Sequence, residues 1–432
     1  MKTILYILLI LPFFVNGQGW QQTYGLSLGD GAHSVQQTTD GGYIICGNIR
    51  LLSDSLQDAW LIKTDSLGDT LWTNTFGGGY YSLGHSVQQT TDGGYIICGY
   101  TYITGKLGEV YLIKTDSLGD SLWTNTFGGA GYEFGYFAQQ TTDGGYIITG
   151  DTYPNPPSGG MKTYLVKINE LGIEQWYKHF HFGGIQHGGR SVKQTSDGGY
   201  IICGWHLVDD YDTDMYMIKT DSLGDTIWTN SYGGSYEEYA LSMDITTDGG
   251  YIICGYTRDG HSNVYLTKTN GSGTEQWSQT FGTNSGEDEA YSVQQTSDEG
   301  FIICGSTESY GNGGFDVWLI KTDSVGVEQW NQTYGGTNRD VGYSVQQTSD
   351  GGFIVCGYTQ SYGNGNNDVY LIKTDGNGVF TSTFNIPIPI PNPNRKIESI
   401  VNILGKKTKP KSNTPFIEIY DDGTVEKRII IE

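Results

Sequence analysis

Short apolar runs alternate with glycine-rich turns along most of the chain, and the arrangement recurs every 50–54 residues. It is clearest in Ser86–Gly99, SVQQTTDGGYIICG. Matching Asp-Gly-Gly anchors begin at Asp40, Asp92, Asp143, Asp197, Asp248, Asp298 (there Asp-Glu-Gly) and Asp350. Internal repetition at this period marks an array of supersecondary units and sets the architecture before any local reading. In the second unit the pattern predicts four strands: a, Ser86–Thr90; b, Tyr95–Tyr100; c, Val110–Asp116; and d, Asp120–Phe127. Tight turns at Thr91–Gly94 and Ser117–Gly119 join a to b and c to d, with Gly supplying positive φ. A longer, variable loop joins b to c. The strands mix alternation with continuous apolar stretches, as expected when both faces of a sheet are covered. Four strands per unit of this length predict a propeller blade rather than a solenoid coil.

Strand d carries one tryptophan per unit: Trp20, Trp72, Trp123, Trp176, Trp228, Trp277 and Trp330. Each can bury roughly 150–250 Å², which suits blade-to-blade packing. Seven a-b-c sets follow a lone d strand, Trp20–Tyr24. That strand is therefore expected to complete the blade built from Tyr343–Asp375, protecting the sheet edges. Val379–Phe384 is then a degenerate d strand, with Phe380 where Trp belongs. The expected fold is all-β: a seven-bladed propeller of four-stranded blades over residues 18–384, closed by its N-terminal strand and followed by a short β-rich tail.

The ends differ in texture. Residues 1–17, MKTILYILLILPFFVNG, have the basic start, short apolar run and small residues of a secretory signal peptide, with cleavage expected between Gly17 and Gln18. Residues 385–394 form a proline-rich linker, stiff because Ile386–Pro393 alternates proline. Residues 395–432 hold strand-like segments, the last expected to be a hairpin turning at Asp422-Gly423.

Charge narrows the partners. The formal net charge is −23, and residues 18–384 hold essentially all of the excess. That opposes nucleic acid or an anionic membrane surface as a ligand. Six cysteines (Cys46, Cys98, Cys203, Cys254, Cys304, Cys356) share one repeat position, where the third unit has Thr149. Equivalent positions in successive blades face the same way, so these read as small buried thiols rather than disulfides. No metal-ligand cysteine spacing is present.

The variable d–a and b–c connections define one face, and binding residues concentrate on variable loops over a rigid scaffold. A ring is readable at the entry of strand a on that face: His33, His85, Tyr136, Arg190, Leu241, Tyr291 and Tyr343. All of these but Leu241, with Trp205 and His206 in the divergent fourth unit, are the candidate binding set; packing at the strand entry is the alternative. Asp210, Asp212 and Asp214 alternate in the same unit and offer a calcium alternative, although the glycine of a helix–loop–helix calcium site is absent (Met215 stands there). The first Gln of strand a becomes Lys193 in the fourth unit and Asp244 in the fifth. Opposite charges in adjacent blades near the axis are expected to face each other, since an unpaired one there is costly. No nucleophile–base order, paired-acid motif, phosphate loop or cofactor fingerprint stands out, so no catalytic residue and no cofactor are assigned.

Two resemblances follow from quoted residues. VYLIKTDSLGDSLW, with Tyr111, Gly119 and Trp123, resembles the tryptophan-docking repeat of quinoprotein-type β-propellers. The resemblance implies the blade type and none of the catalysis, because the adjacent Cys pair of those enzymes is missing. Ile403-Leu404-Gly405-Lys406, the Tyr420–Gly423 turn and the basic-apolar end Lys427–Ile431 resemble the type A C-terminal sorting domain of the type IX secretion system of Bacteroidota, in a shortened form. It implies export by that machinery to the medium or the outer cell surface. The expected function is a monomeric binding or adhesion module for a glycan or protein ligand. The alternatives are a polysaccharide lyase or hydrolase using the variable face, and a purely structural surface protein.

Overall fold

The computed structural model describes residues 19–380, apart from 27, 51–55, 78–80, 103–106, 130, 154–159, 182–185, 210–211 and 284, together with 396–402, 406–409, 416–420 and 425–428. The segment expected as a signal peptide with Gly17 and Gln18, the expected proline-rich linker, Thr381–Phe384, Ile403–Gly405 and the expected Asp422-Gly423 turn lie outside the described residues. All regular structure among the described residues is β.

The strands of the repeat region pair antiparallel in the order a-b-c-d. Three such sets are separate four-stranded sheets, and the other four join two by two into eight-stranded sheets through single parallel pairs, Gln57 with Tyr81 and Thr213 with Glu237. In the second unit strands a to d are Tyr81–Gln89, Tyr95–Tyr102, Gly108–Thr115 and Ser121–Phe127. Strand a thus begins five residues earlier than its hydrophobic pattern predicts. The lone strand Trp20–Tyr24 pairs antiparallel with Asp368–Thr374, Trp20 opposite Lys373 and Tyr24 opposite Val369. Asp340–Gln347, Phe353–Thr359, Asp368–Thr374 and Trp20–Tyr24 therefore make one four-stranded sheet from both ends of the repeat region. Phe380 packs instead on Tyr334, ring centroids 5.5 Å apart.

Facing sheets bury their apolar positions against each other. Ile44, Cys46, Ala59 and Leu61 of the first unit meet Val87, Tyr95, Ile97 and Ile113 of the second in one cluster. The six cysteines are buried and free in such clusters, and burial pushes their thiols up, Cys203 to about 12. Each d-strand tryptophan lies across the next unit: Trp72 against Tyr95, ring centroids 5.9 Å apart, and Trp20 against Tyr43 at 5.8 Å. The c–d turn beneath Trp72 must be glycine twice over. Gly119 has φ of 83° and a Cβ there would enter the indole ring.

Towards the axis, hydrogen bonds link successive a strands. Gln36 Oε1 accepts from the Gln89 amide at 2.6 Å, Gln88 from Gln140 at 2.8 Å, and Gln346 from Gln37 at 2.6 Å. The last of these joins the final a strand to the first. On the face away from the variable loops, a buried lysine from each c strand reaches the Asp of its own a–b turn, as in Lys63–Asp40 and Lys373–Asp350, both at 2.9 Å.

The second compact unit, Ser382–Glu432, contains a three-stranded antiparallel sheet: Ile397–Asn402, Phe416–Tyr420 and Val425–Arg428, with the middle segment central.

Candidate functional site

The ring residues do not sit at the entry of strand a. Each is the extra residue of a β-bulge inside it. Gly84 pairs with Gly99 and Ser86 with Cys98, which leaves His85 unpaired. The same shift isolates His33, Tyr136, Arg190, Leu241, Tyr291 and Tyr343. A bulge re-aims side chains, so the extra residue and its successor both turn toward the axis. Hydrophobic alternation cannot register this, because the bulge breaks the period of two.

The seven side chains and the residues after them line a cavity of about 330 Å³. His33 lies 5.0 Å from His85 and 5.1 Å from Tyr343, ring to ring. His85 is 5.3 Å from Tyr136, and Tyr291 is 4.9 Å from Tyr343. Burial lowers the pKa of both histidines, and for His85 the nearby His33 and Arg190 lower it further. Both imidazoles are accordingly neutral at pH 7. His33 Nε2 is 3.2 Å from Asn48 Oδ1. His85 Nε2 is buried with no hydrogen-bond partner, and a buried polar atom left open at a cavity wall is positioned to meet a ligand.

Arg190 is the one cation in the ring. Its guanidinium donates to Asp151 Oδ2 at 2.8 Å and lies 4.1 Å from the centre of Tyr136. Burial opposes its charge, but Asp151 and Tyr136 outweigh that and hold it protonated. Burial likewise raises Asp151, whose other oxygen accepts from the Gly189 amide at 2.9 Å. Tyr291 donates to Glu289 Oε2. The mouth is thus aromatic, hydrogen-bonding and close to charge-neutral. A second cavity of about 400 Å³ shares His33 and Tyr343 with it and adds Asp30, Arg50 and Tyr358.

The fourth unit's candidates separate. Trp205 packs on Tyr239 at 5.4 Å, with the Arg190 guanidinium 6.0 Å from its ring centre, so it flanks the mouth. His206, one residue on, projects from the other face of the strand. It stacks on His187 at 5.8 Å and places Nε2 2.6 Å from Ser231 Oγ. Asp212 and Asp214 converge with Glu238 rather than with each other alone, ligand atoms lying within 4.8 Å of one another; Asp210 is outside the described residues. Burial, Asp212 and Glu238 push the Asp214 carboxyl up to about 6. These three carboxylates are the group among the described residues that could hold a hard cation, but none of them lines the mouth. Lys193 Nζ lies 2.6 Å from Asp244 Oδ1 below the ring. The seven tryptophans take packing positions between units.

Sequence reasoning missed two features. One is the lysine–aspartate pair in every unit, signalled by the Lys of each Lys-Thr-Asp or related segment. The other is a patch of tyrosines beside His85, signalled by Tyr81 and Tyr132 at one repeat position and Tyr102 and Tyr153 at another.

No protein-family model matches the chain, and no curated protein matches it. Among solved structures it is similar to a lectin from Burkholderia pseudomallei, with 8% identity and a TM-score of 0.54, over 82% of this chain and 98% of that one. It is also similar to an ulvan lyase, a polysaccharide lyase solved with a -[GlcA(1-4)Rha3S]- saccharide, with 9% identity and a TM-score of 0.52, over 84% of this chain and 98% of that one. At such identities the likeness is one of fold, and the fold is a β-propeller.

Proposed function

We propose that this protein is an exported propeller that binds a glycan or protein ligand at the bulge-lined mouth, and that it is a binding module rather than an enzyme. One observation carries the reading. The bulge position holds His, His, Tyr, Arg, Leu, Tyr and Tyr in successive units, whereas the next residue is Ser in all but one of them. Packing alone would favour one residue repeated, as at the tryptophan and cysteine positions. A mixed ring over a cavity with an open imidazole nitrogen suits a ligand that has no seven-fold symmetry. The acid cluster of Asp212, Asp214 and Glu238 stands away from that mouth, and Asp151 beside it is engaged by Arg190, which favours binding over acid–base chemistry.

The reading includes closure of seven quinoprotein-type blades into a ring. It is supported by the pairing of Trp20–Tyr24 with Asp368–Thr374 and by the Gln346–Gln37 link. It also takes residues 1–17 as a cleaved leader and 395–432 as a shortened type IX sorting segment, so that the protein is secreted or displayed on the outer surface. The three-stranded sheet of the tail is compatible with that role.

The test is a glycan and matrix-protein array probed with the full mature chain, its Leu241→Trp variant and its His85→Ala variant. Leu241→Trp fills the mouth without removing a partner, and His85→Ala removes a nitrogen that bonds to nothing. Loss of the bound signal in both, with unchanged circular dichroism, is expected. Retention of the signal in both would overturn the assignment.

A further inference from the structure

The ring is not the whole of the exposed aromatic surface. Tyr81, Tyr100, Tyr102, Tyr132, Phe134 and Tyr153 form a continuous patch on the second and third units. Tyr132 and Phe134 stack with ring planes 8° apart at 6.4 Å. Tyr100 meets Phe134 edge-on at 4.8 Å, and Phe134 meets Tyr153 at 6.0 Å. Tyr132 and Tyr153 are 39% and 42% exposed. The patch is contiguous with the mouth, because Tyr100 stacks on His85 at 5.4 Å.

Comparison between units shows how local the patch is. Where Tyr81 and Tyr132 stand, the other units have Gly29, Gln186, Glu237, Glu287 and Arg339. Where Tyr102 and Tyr153 stand, they have Arg50, Leu207, Arg258, Glu308 and Gln360. The aromatic choice is thus confined to two neighbouring blades, and the fold does not require it. The opposite side of the mouth is charged instead, with Arg258 3.7 Å from Glu289.

Tyrosine faces and hydroxyls together suit a sugar chain. Pyranose rings present flat C–H surfaces to an aromatic face and hydroxyl edges to a phenol, whereas an aliphatic chain would leave the hydroxyls unpaired. Among the described residues the patch is built of aromatic side chains, and a chain of net charge −23 repels polyanions. The path from His85 through Tyr100 and Phe134 to Tyr153 takes steps of 5.4, 4.8 and 6.0 Å, longer than one sugar ring.

We propose that the mouth and this tyrosine platform form one extended site for an uncharged oligosaccharide, its chain stacked along the platform and one end seated at His85. The inference rests on the reading of the mouth as a ligand site. The experiment is calorimetric titration of the full mature chain with neutral gluco-, manno- and xylo-oligosaccharides of increasing length. Affinity for one series is expected to rise about tenfold or more between the monosaccharide and chains of three or more sugars. Tyr102→Ala combined with Tyr153→Ala should remove that gain, bringing the longer chains down to the affinity of the monosaccharide. The corresponding Phe pair, which keeps the aromatic faces, should retain most of it. His85→Ala should weaken every length. A length-independent affinity, or long chains indifferent to the tyrosine variants while His85→Ala still weakens them, overturns the platform and spares the mouth. Tyrosine-dependent binding of an anionic glycan or a protein, with neutral chains silent, overturns the uncharged-glycan assignment. Neutral chains silent together with array signals unaffected by His85→Ala and Leu241→Trp would remove both readings.

Discussion

Lys193 Nζ sits 2.6 Å from Asp244 Oδ1, at the positions where other units carry the first Gln of strand a. The pair does what two glutamines do elsewhere. A Gln side-chain carbonyl accepts the backbone amide of the next a strand, but a lysine cannot accept. The Ile245 amide, which would face it, bonds to Asp244 Oδ1 at 2.9 Å instead. Asp244 Oδ2 then accepts the Gln295 amide at 3.0 Å and carries the chain of bonds onward.

Removing either partner should therefore cost more than removing both. Asp244→Ala leaves two amides and an ammonium without an acceptor and is expected to destabilise by about 2–4 kcal/mol. Lys193→Gln combined with Asp244→Gln restores the common pattern and should fall within about 1 kcal/mol of the wild type. Denaturant unfolding of the wild type, Lys193→Gln, Asp244→Gln and their combination in a double-mutant cycle measures the coupling. Additive single effects would show that the contact carries no energy.

The lysine–aspartate pairs predict an acid limit to stability. Partial burial alone would raise Asp40, but hydrogen bonds from Thr38, Lys63 and Gly42 outweigh it and hold the carboxyl at about 2. Asp92 and Asp248 are also held at about 2, against the same burial, and Asp197 likewise, led by its Lys219 bond. An unfolded aspartate titrates near 3.9. A depressed folded pKa gives stability that is complete above about pH 4 and is lost as pH falls toward 2. The carboxylates are half-exposed, so each contribution is screened; repetition makes the sum visible. Melting temperature should drop steeply between pH 4 and 2, and Lys63→Met with Lys114→Met should flatten that slope while lowering the melting temperature at pH 7.

The sixth unit breaks one turn rule. Glu299 has φ of 66°, where Gly41, Gly93, Gly144, Gly198, Gly249 and Gly351 occupy the same place in the others. A side chain in that conformation costs about 1–2 kcal/mol, offset by about 0.5–1 kcal/mol of backbone entropy that glycine would lose on folding. Glu299→Gly should stabilise by up to about 1 kcal/mol in denaturant unfolding. A destabilised variant would mean that the carboxylate makes a contact outweighing the strain.

What the sequence disclosed and what it hid divide along physical lines. The strand set, the tryptophan docking, the buried thiols and the charge pair were legible because each is a repeated or compensated position in the one-dimensional pattern. The identities of the mouth residues His33, His85, Tyr136 and Tyr343 were legible for the same reason, as the one varying place in a constant frame. Their placement at a bulge was not, since an extra residue in one strand is defined only by its partner's register. The tyrosine platform was hidden because it joins alternate residues of four strands from two units. His206 was grouped with Trp205 by adjacency, yet consecutive strand residues face opposite sides.

The N-terminal strand supplies a last test, of ring closure. Trp20 packs on Tyr43 at 5.8 Å with planes 67° apart, nearly the geometry of Trp72 on Tyr95 at 5.9 Å and 60°. Trp20 and Tyr24 join the cluster formed by Ile45 and Ile62 of the first unit with Cys356 and Leu371 of the last. If the two ends are joined in one cooperative ring, Trp20 is as deeply involved as any internal tryptophan. Trp20→Ala and Trp72→Ala should then each destabilise by about 3–5 kcal/mol, with a single unfolding transition in both. A strand merely appended to an open array would behave otherwise. Its loss would fray the terminal unit, leave the main transition in place, and make Trp20→Ala far milder than Trp72→Ala.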